Sequence, residues 1–201
     1  ETLVRFLDNV VTWNEDLNAL PKQRQAASET RRLGLGVMGI ADMLNQLGVA
    51  YDSEQGTMMI EKVMEYITNA SYQASSFIAK EKGASSIFDE EAYMECPFVK
   101  EALSEQTHNM IKKNGLRNIA IMSIAPTGSI SNIVLGYKSE EKNYIGVSGG
   151  VEPIFSTFYT RRSESFGNKM FKVFHSTIQA YIDKMGIQED IDKAEDVDEV
   201  L

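Results

Sequence analysis

Cysteine is almost absent from this chain. Cys96 is the single cysteine among 201 residues, so the chain can form neither an internal disulfide nor a metal site built from several cysteines. Histidine is scarce too: His108 and His175 lie far apart and match no metal-binding spacing. The sequence therefore predicts no complete metal site and is typical of a protein from the reducing cytoplasm.

Long apolar runs and an excess of basic residues are also missing. No apolar run approaches the ~20 residues that a membrane-spanning helix needs, and no basic segment followed by an apolar core marks a secretory signal. The net charge is −9, whereas nucleic-acid binding requires a basic surface. We therefore expect no membrane and no nucleic acid among the partners. Since the first residue is Glu1 and not Met, we expect an excerpt or a processed product.

The acidic charge is concentrated at the end of the sequence. Between residues 188 and 201 seven acidic residues stand against Lys193, which accounts for −6 of the total charge. Such a segment is typical of a solvated or disordered end. We therefore predict one folded domain over residues 1–187 and an acidic, disordered tail over residues 188–201.

Apolar residues at helical spacing predict five helices. These are expected over residues 3–20, 37–47, 52–82, 99–114 and 170–185. The polar residues 21–30 are expected to be a connector, and the charged residues 137–143 a loop. The sequence is thus mostly helical.

Gly34, Gly36 and Gly39 form a Gly-x-Gly-x-x-Gly pattern. A dinucleotide-binding loop would place these glycines between a strand and a helix. The residues upstream are polar and do not predict a strand. We therefore favour a tight turn in which small residues let a helix pack closely, with a cofactor loop as the alternative.

An apolar run over residues 118–125 ends in the small-residue segment Pro126, Thr127, Gly128, Ser129 and Ile130. The run predicts a buried strand, and the segment predicts a turn into a helix. Free N–H groups at a helix start can bind a phosphate. The alternative is an ordinary capped turn, which the residues alone favour because the complete phosphate-loop motif is absent.

Two further residues carry reactive groups. Glu152 lies between a glycine-rich segment and Pro153, where it is either a site acid or a solvated loop acid. Cys96 stands beside Glu95, and nothing near it in the sequence favours a reactive thiolate.

Four blocks in this order resemble the catalytic subunit of ribonucleotide reductases. The blocks are residues 6–9, residues 31–37, residues 115–118 running into 125–131, and residues 148–155 with 159–161. The Ala-Pro-Thr-Gly-Ser sequence and the Tyr-x-Arg of the last block most resemble the class II, adenosylcobalamin-dependent branch.

The resemblance implies an α/β fold, mostly helical in this excerpt, that forms the C-terminal part of a ten-stranded α/β barrel. It implies that the segment from Pro126 to Ile130 binds the phosphates of a ribonucleoside di- or triphosphate. The activity implied is deoxyribonucleotide synthesis by thiyl-radical chemistry. The implied partners are the remainder of the reductase chain and a thioredoxin-type reductant, with adenosylcobalamin bound mainly outside this chain.

Parts of the family pattern are missing. The thiyl-radical cysteine within Asn-x-Cys-x-Glu and the reducing cysteine pair do not occur, so we assign no catalytic residue and expect no reductase activity from this chain alone. Residues 137–147 are longer than the family's step between the phosphate segment and the Gly-Glu-Pro block. Two alternatives are a fragment of a class I, metal-cofactor reductase and a non-catalytic helical interaction module.

Overall fold

A computed structural model describes residues 1–150, 152–154, 156–163, 167–194, 197 and 199–201, with backbone only at 161, 163 and 171. The chain divides into two compact units. Unit 1 comprises Glu1–Gly36 and Glu54–Ile124, and unit 2 comprises Val37–Ser53 and Ala125–Leu201. No helix within the described ranges is long and apolar enough to cross a membrane.

The described residues form helices and short strands. The helices are α1 (Thr2–Asn14), α2 (Pro21–Thr30), α3 (Ile40–Gln46), α4 (Glu54–Lys82), α5 (Glu90–Met94), α6 (Pro97–Ala102), α7 (Glu105–Asn114), α8 (Ser176–Met185) and α9 (Gln188–Lys193). The strands are β1 (Leu135–Lys138), β2 (Asn143–Ile145), β3 (Phe158–Ser163) and β4 (Lys169–Phe174). The α/β class expected from the sequence is confirmed, and the described residues contain no closed barrel.

Unit 1 is built on the long helix α4, which packs against α1, α6 and α7. Tyr72, Ala74 and Ile78 of α4 are buried together with Val4 of α1 and Ile111 of α7. Ala74 and Ile78 recur at helical spacing, as the sequence predicted for α4. Helix α1 begins as expected but ends at Asn14 and not at residue 20.

Two extended segments of unit 1 run parallel beside this core. Leu35 and Met122 form a parallel bridge, and the N–H groups of Leu35 and Ser123 donate to Ile121 O and Leu35 O at 2.8 and 2.9 Å. A Cβ atom on Gly36 would overlap Ser123 O. The lack of a side chain at Gly36 therefore lets a neighbouring extended segment approach closely. The sequence predicted that a helix would pack at this position.

The helix predictions fail at two further places in unit 1. The expected connector is α2, whose residues are all polar or small and none buried, so it has no apolar stripe to reveal it; Pro21 starts it. The expected helix over residues 99–114 is broken into α6 and α7. Ser104 caps α7 by accepting a hydrogen bond from Thr107 N, which starts a new helix there.

Unit 2 contains α3, two antiparallel hairpins and the helices α8 and α9. β1 pairs with β2, and β3 pairs with β4 in a register that sets Phe158 opposite Phe174. Helix α3 confirms the helix expected before Gly48. Its N-terminal neighbour Gly39 has a φ of 76°, which a glycine adopts without strain.

Two expectations are wrong in unit 2, and a third is wrong in part. The helix expected after Pro126 is a single 3₁₀ turn, Ile130–Asn132, and the loop expected over residues 137–143 is limited to residues 139–142, between β1 and β2. Exposed Ile133 and Leu135 offer no buried face to a helix, and β-branched residues favour strands. The last helix begins at Ser176, because the preceding residues pair with β3 as strand β4.

The acidic segment forms structure where the sequence predicted a solvated end. Residues Gln188–Lys193 are helix α9, and Ile191 and Val197 are buried with Phe174 and Ile182. Apolar burial outweighs the charge pattern at these positions. The division of the chain after residue 187 stays a prediction, and residues 195, 196 and 198 lie outside the described residues.

Candidate functional site

The segment from Pro126 to Ile130 forms an open turn at the surface of unit 2. Thr127 is half-buried with a φ of 52°, and its carbonyl accepts a hydrogen bond from Ser131 N at 2.9 Å. Pro126, Gly128, Ser129 and Ile130 are exposed. The turn is therefore neither inside a continuous helix nor covered by side chains.

The backbone amides of this turn are available to a ligand. Among the described residues, no acceptor takes the N–H of Gly128, Ser129 or Ile130. A Cβ atom on Gly128 would meet no heavy atom within 4 Å. Successive free N–H groups at a turn are a common way to bind an anion.

A glycine-rich loop of residues 146–150 packs directly against the turn. Gly150 N donates to Thr127 Oγ1 at 2.8 Å, and Val147 N donates to Ser131 O at 2.9 Å. A Cβ atom on Gly149 would lie 2.6 Å from Pro126 O. The absence of a side chain at 149 therefore lets the two backbones touch.

Beside the turn lies a cavity of about 560 Å³ within unit 2. Its lining is apolar with a few polar groups, and it includes the following residues: Pro126, Gly128, Ser131, Asn132, Ser148, Glu152, Phe158, Tyr159 and His175. Thr127, Ser129 and Ile130 are not part of the lining. The size and composition suit a small organic ligand.

Glu152 is exposed and lines this cavity. Its N–H donates to Gly149 O at 3.2 Å, which places it on the same loop as the residues that touch the turn. The neighbouring positions 151 and 155 of the family-like block lie outside the described residues. Glu152 thus lies where the sequence allowed a site acid.

Three residues that the sequence analysis did not single out as site residues form a group at the cavity: Ser148 and His175 line it, and Asp42 contacts both. Ser148 donates to Asp42 Oδ2 through both its N–H (2.6 Å) and its Oγ (2.7 Å). His175 Nε2 lies 2.8 Å from Asp42 Oδ1, with its N–H direction outside hydrogen-bond geometry. No local pattern signals this group, because Asp42 lies more than 100 residues before the other two in sequence.

The Asp42 carboxyl is ionised in this setting. Burial acts to raise its pKa, but the contacts with His175 and Ser148 outweigh burial and hold the pKa below the ordinary value. A buried carboxylate is stable only when its oxygens are partnered, as both are here.

The remaining reactive residues lie apart from the cavity. Cys96 is exposed at the start of α6, and His108 Nε2 lies 2.8 Å from Val99 O. Within the described part of the chain no three metal-binding side chains come together. These positions add nothing to the candidate site.

Comparisons with known proteins identify relatives of this sequence. Residues 1–200 match the family model described as "Ribonucleotide reductase, barrel domain". The "Vitamin B12-dependent ribonucleoside-diphosphate reductase" of Mycobacterium tuberculosis is 33% identical over 79% of this chain and 18% of its own length. The protein of the same name from Thermoplasma acidophilum is 35% identical, over 80% of this chain and 17% of that protein.

A second kind of relative matches as well. The "Ribonucleoside-diphosphate reductase subunit alpha" of Chlamydia pneumoniae is 31% identical over 81% of this chain. The chain spans 16–18% of the length of these three relatives. The match to the family model covers nearly the whole sequence, and the family that the sequence blocks indicated is confirmed. The chain therefore belongs to the ribonucleotide reductase barrel-domain family.

Proposed function

We propose that this chain supplies the substrate-phosphate site of a ribonucleotide reductase. The residues assigned to it are Pro126, Thr127, Gly128, Ser129 and Ile130. The observation that carries the proposal is the run of exposed residues from Gly128 to Ile130 whose N–H groups have no acceptor among the described residues, beside a cavity that Gly128 lines. Those amides would donate to the phosphate oxygens, and the cavity would take the nucleoside.

The described lining of the cavity offers no cationic lysine or arginine side chain to a phosphate group. Its ionisable groups include His175 and Glu152. Backbone dipoles must therefore supply most of the attraction for an anion. Because such dipoles carry no full charge, we expect modest affinity that depends on the geometry of the turn.

The whole enzyme to which we assign this chain makes deoxyribonucleotides by thiyl-radical chemistry in the cytoplasm. The matched relatives are named as ribonucleoside-diphosphate reductases, so a ribonucleoside diphosphate is the proposed substrate. The radical cysteine, the reducing cysteine pair and the contact with a thioredoxin-type reductant are assigned to the remainder of the reductase chain. We expect no reduction of ribonucleotides by this chain alone.

Adenosylcobalamin is the cofactor proposed for the whole enzyme, because two of the relatives are named as vitamin B12-dependent. Two cavities in the described part of unit 2 measure about 610 and 560 Å³. Each is of a size for a drug-like ligand, and a corrin ring with its nucleotide tail is much larger. The described residues do not fit this cofactor, and it is assigned to parts of the enzyme outside this chain.

A nucleotide titration followed by amide NMR tests the proposal. Adding ADP to the ¹⁵N-labelled protein should shift the amide signals of residues 127–131. Adenosine is the matched control, since it retains the base and sugar but lacks the phosphates, and it should leave these signals in place. Equal shifts with adenosine, or no shift with ADP, would show that the turn does not bind phosphate and would favour a scaffold role.

A further inference from the structure

Asp42 holds the glycine-rich loop from the side opposite the turn. Its Oδ2 accepts the N–H and the Oγ of Ser148, and Gly39 N donates to Ser148 O at 3.0 Å. Both backbone groups of Ser148 are thus bound by residues at the start of α3. Asp42 is only 4% exposed, so water competes little for these bonds.

Ser148 is linked to the turn through the next two residues, because both of them contact the turn. Gly149 lies against Pro126 O, and Gly150 N donates to Thr127 Oγ1. Thr127 has a φ of 52°, a conformation that L-residues rarely adopt without such support. Since its φ sets the direction of the amides that follow, the loop fixes where the free N–H groups point.

His175 completes the arrangement at the other carboxylate oxygen. Its Nε2 lies 2.8 Å from Asp42 Oδ1 and its Nδ1 lies 3.0 Å from Thr177 Oγ1. The contact of Nδ1 with Thr177 and the short distance from Nε2 to Asp42 place the ring at the start of α8. A protonated ring adds an attraction to the carboxylate that a neutral ring does not.

We propose that Asp42 and His175 are positioning residues for phosphate binding, which hold the loop of residues 146–150 against Thr127 and so keep the amides of residues 128–130 aimed at the ligand. This inference rests on the proposed function of the turn. It adds two side chains that act through Ser148, Asp42 directly and His175 through Asp42.

Asp42 is the charged group in contact with His175. The other ionisable groups on the same cavity are Glu152 and Tyr159. Lys172 of β4 donates to Ile191 O and Ala194 O instead. On α8, Asp183 pairs with Lys142. Removal of the imidazole should therefore loosen the contact of Asp42 with Ser148 and weaken ligand binding.

The test combines amide hydrogen exchange without ligand and ADP titrations by NMR, on one set of variants. D42N should speed exchange at Gly150 and Val147 roughly ten-fold and raise the Kd for ADP roughly ten-fold. D183N is the matched control, since it removes a carboxylate that binds Lys142 elsewhere in unit 2, and it should change neither quantity. S148A keeps the N–H bond to Asp42 and should give a smaller effect than D42N.

H175Q tests the contribution of the imidazole directly. H175Q should bind ADP more weakly than the unsubstituted protein and should speed exchange at Gly150. H108Q, which removes the distant histidine of unit 1, should change neither quantity.

Each outcome decides one of the two proposals. Unchanged exchange at Gly150 in both D42N and H175Q would overturn the positioning role, even if ADP binds. Should D42N fail to fold, H175Q and S148A carry the same comparison. If ADP does not shift the amide signals of residues 127–131 in the unsubstituted protein, the proposed phosphate site is overturned. The exchange data would still decide whether Asp42 holds the loop.

Discussion

Arg31 Nε donates to Asp8 Oδ1 at 2.9 Å, and both side chains are almost completely buried in unit 1. The guanidinium also donates to Asp8 O at 2.9 Å and to Thr12 Oγ1 at 2.6 Å. Asn118 Nδ2 donates to the same carboxylate oxygen at 3.1 Å and to Arg31 O at 2.9 Å. This pair therefore joins α1 to the two extended segments that carry the parallel bridge.

Replacing Arg31 should strongly destabilise the protein. In R31M the Asp8 carboxylate would remain buried without its main cation, a situation that costs about 3–5 kcal/mol of unfolding free energy. Urea denaturation followed by circular dichroism measures this. R5M is the matched control, because Arg5 forms an exposed pair with Glu81, and its effect should be far smaller. Equal losses in the two variants would contradict the importance assigned to the buried pair.

The same pair should make the protein sensitive to acid. Burial acts to raise the pKa of Asp8, but Arg31 and its neighbours outweigh this and lower the pKa below its ordinary value. A carboxyl whose pKa is lower in the folded state stabilises the protein above its unfolded pKa of about 3.9. That contribution is lost as the pH falls from there through the folded pKa.

Urea midpoints measured from about pH 6 down to about pH 2 test this linkage. The unsubstituted protein should lose stability over the acidic part of the range. D8N should be less stable at neutral pH than the unsubstituted protein, and its urea midpoint should fall less on acidification. D16N, which changes an exposed carboxylate of the same unit, should follow the unsubstituted curve. A D8N curve parallel to the unsubstituted one would refute the role of Asp8.

The sequence predicts an element well when the spacing of apolar residues within that element marks its buried face. The apolar residues that recur at helical spacing in helix α4 are buried or half-buried, and the ends of the helix fall within two residues of those expected. Helix α2 buries nothing, so its sequence carries no such pattern. The β1–β2 hairpin depends on contact with a partner strand, which periodicity within either strand does not reveal.

The candidate site likewise has one part that the sequence reveals and another part that only the fold reveals. The turn from Pro126 to Ile130 is continuous in sequence, so small residues after an apolar run point to it. Asp42 and His175 meet only because α3 and the start of α8 lie together in unit 2. Each side chain alone has an ordinary explanation as a helix residue, and only the fold makes them a pair.

Gly136 should tolerate no side chain. It lies at the irregularity in the β1–β2 pairing, and an added Cβ would overlap Gly146 O, a backbone atom that cannot move aside. G136A should therefore lower the free energy of unfolding by about 1–3 kcal/mol. G128A is the control, because a Cβ there meets open space, and it should change stability by less than about 0.5 kcal/mol. Thermal unfolding of both variants measures the difference, and equally stable variants would show that the hairpin can shift to admit the methyl group.

The hydroxyl group of Thr127 should matter more for ADP binding than the size of the side chain. T127V keeps the shape of the side chain but removes the acceptor of Gly150 N, so one N–H loses its partner and the turn loses a contact with the loop. We expect the Kd for ADP to rise about ten-fold, which corresponds to one hydrogen bond. T127S retains the hydroxyl, and we expect it to bind ADP like the unsubstituted protein. If T127S weakened binding as much as T127V, the methyl group would be responsible, and the hydrogen bond to Gly150 would not be what orients the turn.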